Sequence, residues 1–167
     1  MELKSALHHP LAQRIERLLR QDGCWFETFE HEPVRTSEEA ARVRTGYGLE
    51  HGAKALIIRS KRGAERRFAM VVVPGDRRMD SSLVKQMLDA RDIRFATSDE
   101  VGTVTGGVEP GGVPPFGNLF EMQVLCDPAV VAHERIIFNA GDRGFSIAIR
   151  SADYVRLVRP LITDVAA

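Results

Sequence analysis

Sixteen residues near the middle of the chain, Gly102 to Gly117, read GTVTGGVEPGGVPPFG and hold six glycines and three prolines. Such a stretch is excluded from a helix interior and from a central strand, because glycine pays a large ordering entropy and proline cannot donate to a ladder. Yet Val104, Val108, Val113 and Phe116 are apolar, so the expected loop is packed rather than floppy. Structured loops of this length are disproportionately functional. Whatever fold forms must therefore seat one long, stiff, partly apolar loop against its core.

Regular elements surround it. Pro10 suits a first helical position, and Leu11, Ile15, Leu18 and Leu19 fall on one stripe before Gly23, so a helix is expected over Pro10 to Gln21. Trp25 to Glu30 alternates like a strand. Thr36 or Ser37 caps a following helix, with Glu38 and Glu39 in its first turn, where carboxylates favour the helix dipole. Ala53 to Arg59 and Arg66 to Val73 read as paired strands around a tip within SKRGAER, and Pro74-Gly75-Asp76 ends the second. Ser81 and Ser82 open a helix through Leu88. Ile93 to Ala96 is a short strand, and Ser98 to Val101 one helical turn. Met122 to Cys126, Arg135 to Phe138 and Phe145 to Arg150 are strands. Ser151 caps a last helix through Arg159. Hairpins outnumber strand–helix–strand units, so the expected class is α+β: a curved, mixed but mostly antiparallel sheet, barrel-like, surrounded by helices.

The 167 residues suit one domain, residues 1–167, with 1–23 as an N-terminal helical addition. Lys plus Arg and Asp plus Glu each number 23, which excludes a whole-surface basic field but not a local basic patch. No apolar run nears the ~20 residues needed to span a bilayer, and the first twenty residues lack an apolar core before their charges, so a cytoplasmic protein without a signal peptide is expected. Cys24 and Cys126 are far apart and read as reduced, structural thiols. The chain has no GxxxxGK[ST], HExxH or GxSxG, and its five histidines have no ligand spacing.

Two features carry chemistry. Lys54 lies in a strand with apolar residues on both faces, Ala53, Ala55 and Ile57 on one and Leu56 and Ile58 on the other. An ammonium there either snorkels to solvent or meets an anionic or carbonyl group of a substrate. The run Gly111-Gly112-Val113-Pro114-Pro115-Phe116-Gly117 either closes the sheet as a rigid turn or lets a ligand approach its backbone.

These features occur in a recognisable order. The segments EHEPVRTSEEAA at Glu30 to Ala41, GAKALII at Gly52 to Ile58, VVVPGD at Val71 to Asp76, TGGVEPGGVPPFG at Thr105 to Gly117 and FNAGDRGFSIAI at Phe138 to Ile149 together span Trp25 to Arg159. In that order they resemble the YbaK and prolyl-tRNA synthetase-associated editing domain family. The resemblance implies a small α+β protein that hydrolyses wrongly charged aminoacyl-tRNA, in trans or as a domain of a synthetase. It places the family lysine at Lys54, near the terminal adenosine, and the family GxxxP loop at Gly111 to Pro115, around the aminoacyl group. Two departures stand out: Asn139-Ala140 where several subfamilies carry His-Pro, and Ala55 where they often carry Asn or Thr.

The expected site is therefore Lys54 as the catalytic residue, with Gly111 to Gly117, Asn139 and Gly141 lining the pocket. No metal or organic cofactor is required. Aminoacyl-tRNA is the expected partner, with a synthetase as a second, no membrane, and RNA contacts at Arg66, Arg67, Arg77 and Arg78. The bland alternative for Lys61 and Arg62 is a solvated hairpin tip paired with Glu65. A catalytically silent module that binds an aminoacyl or nucleotide end fits the same residues.

Overall fold

A computed structural model describes residues 4–33, 36–44 and 46–167. Val34 and Arg35 of the EHEPVRTSEEAA segment lie outside the described residues.

Among the described residues eight strands form two sheets. The first has the order β1 (Phe26–Glu30), β7 (Phe145–Arg150), β6 (Arg135–Asn139), all antiparallel. The second has the order β4 (Asp92–Phe95), β2 (Ala53–Arg62), β3 (Glu65–Pro74), β5 (Gln123–Cys126), β8 (Leu161–Ile162), with β5 parallel to both its neighbours. The two meet at a bridge between Gly52 and Ile137. The mixed, antiparallel-dominated α+β class is as expected; the strands divide between two sheets in place of one curved, barrel-like sheet.

The β2–β3 hairpin is longer than its pattern suggests. Its ladder runs from Ala53–Pro74 to Arg62–Glu65, leaving only Gly63 and Ala64 at the tip. Gly63 takes a φ of +60° at the first central position, which a two-residue turn demands and only glycine adopts without strain. The charged residues Ser60 to Arg66 read as loop because both faces of a projecting hairpin end are solvated.

Five helices pack around the sheets: α1 (Pro10–Gln21), α2 (Ser37–Val43), α3 (Ser81–Met87), α4 (Ser98–Thr105) and α5 (Ser151–Val158). His9 caps α1, its Nδ1 accepting from the Leu11 N–H at 3.1 Å. The stripe Leu11, Ala12, Ile15 and Leu19 enters the main core, which also holds Phe116, Phe138, Phe145 and Tyr154. Burying each of the larger side chains contributes roughly 1.5–3 kcal/mol, so α1 is an integral wall and not a loose extension. Glu16 is fully buried on the same helix but satisfied, accepting from the Ser5 N–H and from Arg20.

Helix α4 runs four residues beyond the single turn expected. Thr97 caps it and Glu100 closes the capping box, which carries the helix through Gly102 and Thr103 to a left-handed Gly106. The glycine-proline stretch therefore begins inside a helix, contains one short 3-10 turn, Pro110–Gly112, and ends where a second, Gly117–Phe120, begins. It is packed as its valines suggest: Val108, Val113 and Phe116 are buried. The short β8 has no sequence signal; it pairs with β5, and beyond it the buried Asp127 carboxylate accepts from the Val165 and Ala166 N–H groups. Among the described residues no helix is long and apolar enough to cross a membrane.

Candidate active site

Where α2, β2, the 3-10 turn at Pro110 and the end of β6 converge, they enclose a pocket of about 280 Å³. Small side chains shape it: Ala40, Ala41, Ala53, Ala55 and Val113 leave room that larger residues would fill. Among the described residues three cations line it, Arg44, Lys54 and Arg143, and no carboxylate does.

Lys54 reaches it from the start of β2. Its Nζ donates to the Arg77 carbonyl at 3.1 Å, which leaves two of three protons for other acceptors. Burial pushes its pKa below 10.5; Glu38 and Asp76 nearby raise it and Arg78 lowers it. A shallower groove continues from the pocket over Lys54 to Glu38, Asp76, Arg77 and Arg78. Arg77 and Arg78 thus lie beside the pocket. Arg66 and Arg67 sit at the other end of the hairpin, about 20 Å away along the strand at ~3.4 Å per residue. There Arg67 is paired with Glu65.

The glycine-proline loop divides in two. Gly111 and Val113 face the pocket. Gly112, Pro114, Pro115, Phe116 and Gly117 stand behind it. Phe116 stacks against Phe138 and Tyr154, and the Tyr154 hydroxyl donates to the Pro115 carbonyl at 2.8 Å. The Gly112 carbonyl accepts from the Gly141 N–H at 2.9 Å, and the Gly112 N–H donates to Glu109. Gly141, at φ +106°, packs on α1 and lets the turn pass close to Ala12. The loop therefore offers fewer free amides than its glycines suggest.

Asn139 joins the two walls. Its Oδ1 accepts from Arg44 Nη2 at 2.9 Å and from the Ser146 hydroxyl at 3.1 Å, while its Nδ2 donates to the Gly111 carbonyl at 2.8 Å. Arg44 Nε also donates to Ser146 at 3.2 Å. Arg44 is buried and forms no ion pair among the described residues, and burial lowers its pKa to about 10. Arg143 stands against Gly111; its Nε makes no hydrogen bond but lies 3.8 Å from the Glu109 carboxylate in a loose ion pair. Neither arginine stands out in the sequence: one follows the end of a helix and the other lies in a turn, and only the tertiary fold turns them inward.

The thiols do not contribute a nucleophile. Burial, followed by the hydrogen bond to Asp22, raises Cys24 from 9.0 to about 11, and burial raises Cys126 to about 12. At pH 8 Cys24 should alkylate with iodoacetamide about a hundredfold more slowly than a free thiol. Fast single-site labelling of the folded protein would contradict this placement. Among the described residues no group of three His, Cys, Asp or Glu side chains is placed to hold a metal ion.

A mixed two-sheet fold with a small cationic pocket between a strand lysine and a glycine-proline loop defines a domain suited to an anionic ligand. The chain belongs to the aminoacyl-tRNA editing domain family, which it matches over residues 31–157. It is 31% identical over 153 residues to the Multifunctional Ser/Thr-tRNA deacylase ProXp-y of Escherichia coli K12, covering 91% of this chain and 90% of that one. A 103-residue stretch is 36% identical to part of the proline–tRNA ligase of Bacillus licheniformis, 61% of this chain but 17% of the ligase. Two solved structures share the fold, each with a TM-score of 0.80. The hypothetical protein APE2540 is 23% identical, over 92% of this chain and 99% of that one. A protein proposed as a trans-editing enzyme for prolyl tRNA synthetase is 22% identical, over 95% and 98%.

Proposed function

We propose that this chain hydrolyses the ester bond of a mischarged aminoacyl-tRNA, acting in trans as one editing unit. The observation that carries the reading is the pocket itself, in a chain of the editing family: it joins Lys54, Gly111 and Asn139 around a small cationic space. An aminoacyl ester is already reactive, so orientation and stabilisation of the developing oxyanion matter more than a strong nucleophile. Water attacks the carbonyl carbon, the bond to the ribose oxygen breaks, and that oxygen leaves with the proton the water gives up. Lys54 supplies the positive charge near the acceptor end, and Arg143 stands across the pocket from a position beside Gly111. Gly111 and Val113 shape the aminoacyl wall. Gly112, Pro114 to Gly117 and Gly141 hold that wall from behind.

The alanine-lined space favours a small amino acid, and pockets of this kind separate small side chains by only ~1–3 kcal/mol per methylene. Serine and threonine come first, from the name of the Escherichia coli relative. The partner is aminoacyl-tRNA, with a prolyl-tRNA synthetase as the natural source of misacylated substrate, and the place of action is the cytoplasm.

A second reading is favoured by Asn139. Its amide is held on both sides by protein groups, so it neither gives nor takes a substrate proton, and a binding module without turnover would look the same. A deacylation time course with tRNAs charged with Ser, Thr, Ala, Cys or Pro separates the two. Release from at least one substrate above the spontaneous rate is expected. No release from any, with tRNA still bound, sinks the hydrolase reading in favour of the module.

A further inference from the structure

The strand period places two clusters at opposite ends of one sheet face. Along β6, Ile136 and Phe138 enter the main core, so Arg135, Ile137 and Asn139 share the other face. Their ladder partners on β7 are Arg150, Ala148 and Ser146. Asn139 and Ser146 form the pocket end. Ile137 and Ala148 are covered by Tyr47 and Phe29. At the far end Arg135 faces Arg150 directly, and Trp25, just before β1, lies against both.

That far end is an unusual arrangement. The Arg135 guanidinium stands 4.2 Å from the Trp25 ring centre and that of Arg150 5.9 Å. Like charges paired across a ladder are unfavourable, yet neither arginine forms an ion pair among the described residues. The nearby Glu27 carboxylate accepts from the Tyr47 hydroxyl at 2.7 Å, and Arg135 reaches that same hydroxyl. Both arginines are exposed. Two guanidinia on one aromatic ring, neither paired to a carboxylate among the described residues, make a site for phosphate with a surface on which a base stacks.

We propose that Trp25, Arg135 and Arg150 form a second RNA contact, which takes phosphates of the strand leading into the pocket. The inference rests on the tRNA reading of the preceding subsection. From Arg135 to Asn139 the strand advances about 13 Å. A stacked RNA strand places roughly four phosphates in that length, at ~3.4 Å each. With the terminal nucleotide in the pocket, the patch meets the strand where the single-stranded end joins the acceptor stem.

Trp25 is the only tryptophan in the chain, so its fluorescence reports on this patch alone. The test titrates a hairpin RNA with a single-stranded CCA end into wild type and into the double variant Arg135→Gln/Arg150→Gln. Quenching of Trp25 is expected with the hairpin but not with adenosine 5′-monophosphate, which carries the terminal nucleotide only. The double variant should bind about tenfold more weakly at low salt, and its slope of log K against log salt should shrink by about 1.4 for two lost single-strand phosphate contacts. Hairpin binding with Trp25 emission unchanged, an unaltered slope in the double variant, or no hairpin binding at all overturns the proposal. The two readings fail separately. A protein that quenches on RNA but releases no amino acid loses the hydrolase reading, and one that deacylates with Trp25 silent loses this contact.

Discussion

Replacing Lys54 by Ala should lower deacylation by about 10²–10³-fold, the range lost when one preorganised charge-stabilising donor is removed from an active site. The fold should survive. Lys54 makes one protein hydrogen bond, to the Arg77 carbonyl, and a typical bond of this kind contributes ~0.5–1.5 kcal/mol. Side-by-side thermal melts and time courses on charged tRNA check both halves; an undiminished rate in Lys54→Ala removes this residue from the mechanism. Its titration gives an independent signature. Burial holds the folded-state pKa below 10.5, so the ammonium, and any rate that needs it, is lost at lower pH than for a free lysine. The stability effect has a defined sign. Between the lowered pKa and 10.5 the unfolded chain binds more protons than the folded one, so this group's contribution to stability rises with pH across that window. Lys54→Met should flatten that rise.

Gly112→Ala should damage both stability and activity. A methyl group there would lie 2.9 Å from Asp142 Cα and 3.2 Å from the Gly141 carbonyl carbon, both backbone atoms that cannot step aside. Overpacking of this kind costs roughly 1–3 kcal/mol. For a chain of this size each kcal/mol lowers the melting temperature by about 2–4 °C. The turn it displaces carries Asn139 at one end and Arg143 within it, so both walls of the pocket shift and hydrolysis should fall by at least tenfold. Gly111→Ala is the informative contrast. Its methyl meets the Arg143 guanidinium, the far end of a flexible side chain, so the melt should barely move while the rate drops. Two alanine variants with the same melt and the same rate would mean that the loop and the turn are not rigidly coupled.

Much of this arrangement is legible one residue at a time. Pro10 with its leucine stripe, the Thr36 cap and the two sides of the β2–β3 ladder are local signals, and the local signals prevail. Lys54 is legible because an ammonium among alanines and isoleucines needs a reason. The hairpin tip misleads because a solvated strand end has no apolar alternation to read. Helix α4 misleads because the capping box at Thr97 and Glu100 outweighs the cost of Gly102. Arg44 and Arg143 are illegible for a different reason. An arginine is normally a surface residue, and only the closing of β6 and β7 over α2 buries one and aims the other. The loop shows the same limit: its composition announces rigidity, but which of its glycines face the ligand depends on Phe116 and Pro115 being anchored by Tyr154.

The cationic lining of the pocket among the described residues also bears on how a turnover ends. The ester that enters has a neutral carbonyl group, whereas the amino acid that forms carries a full negative charge at the same carbon. Arg44, Lys54 and Arg143 face both, and they attract the second more strongly. The field that eases bond cleavage therefore also attracts what cleavage makes, so the freed amino acid should compete with the ester for the pocket at high concentration.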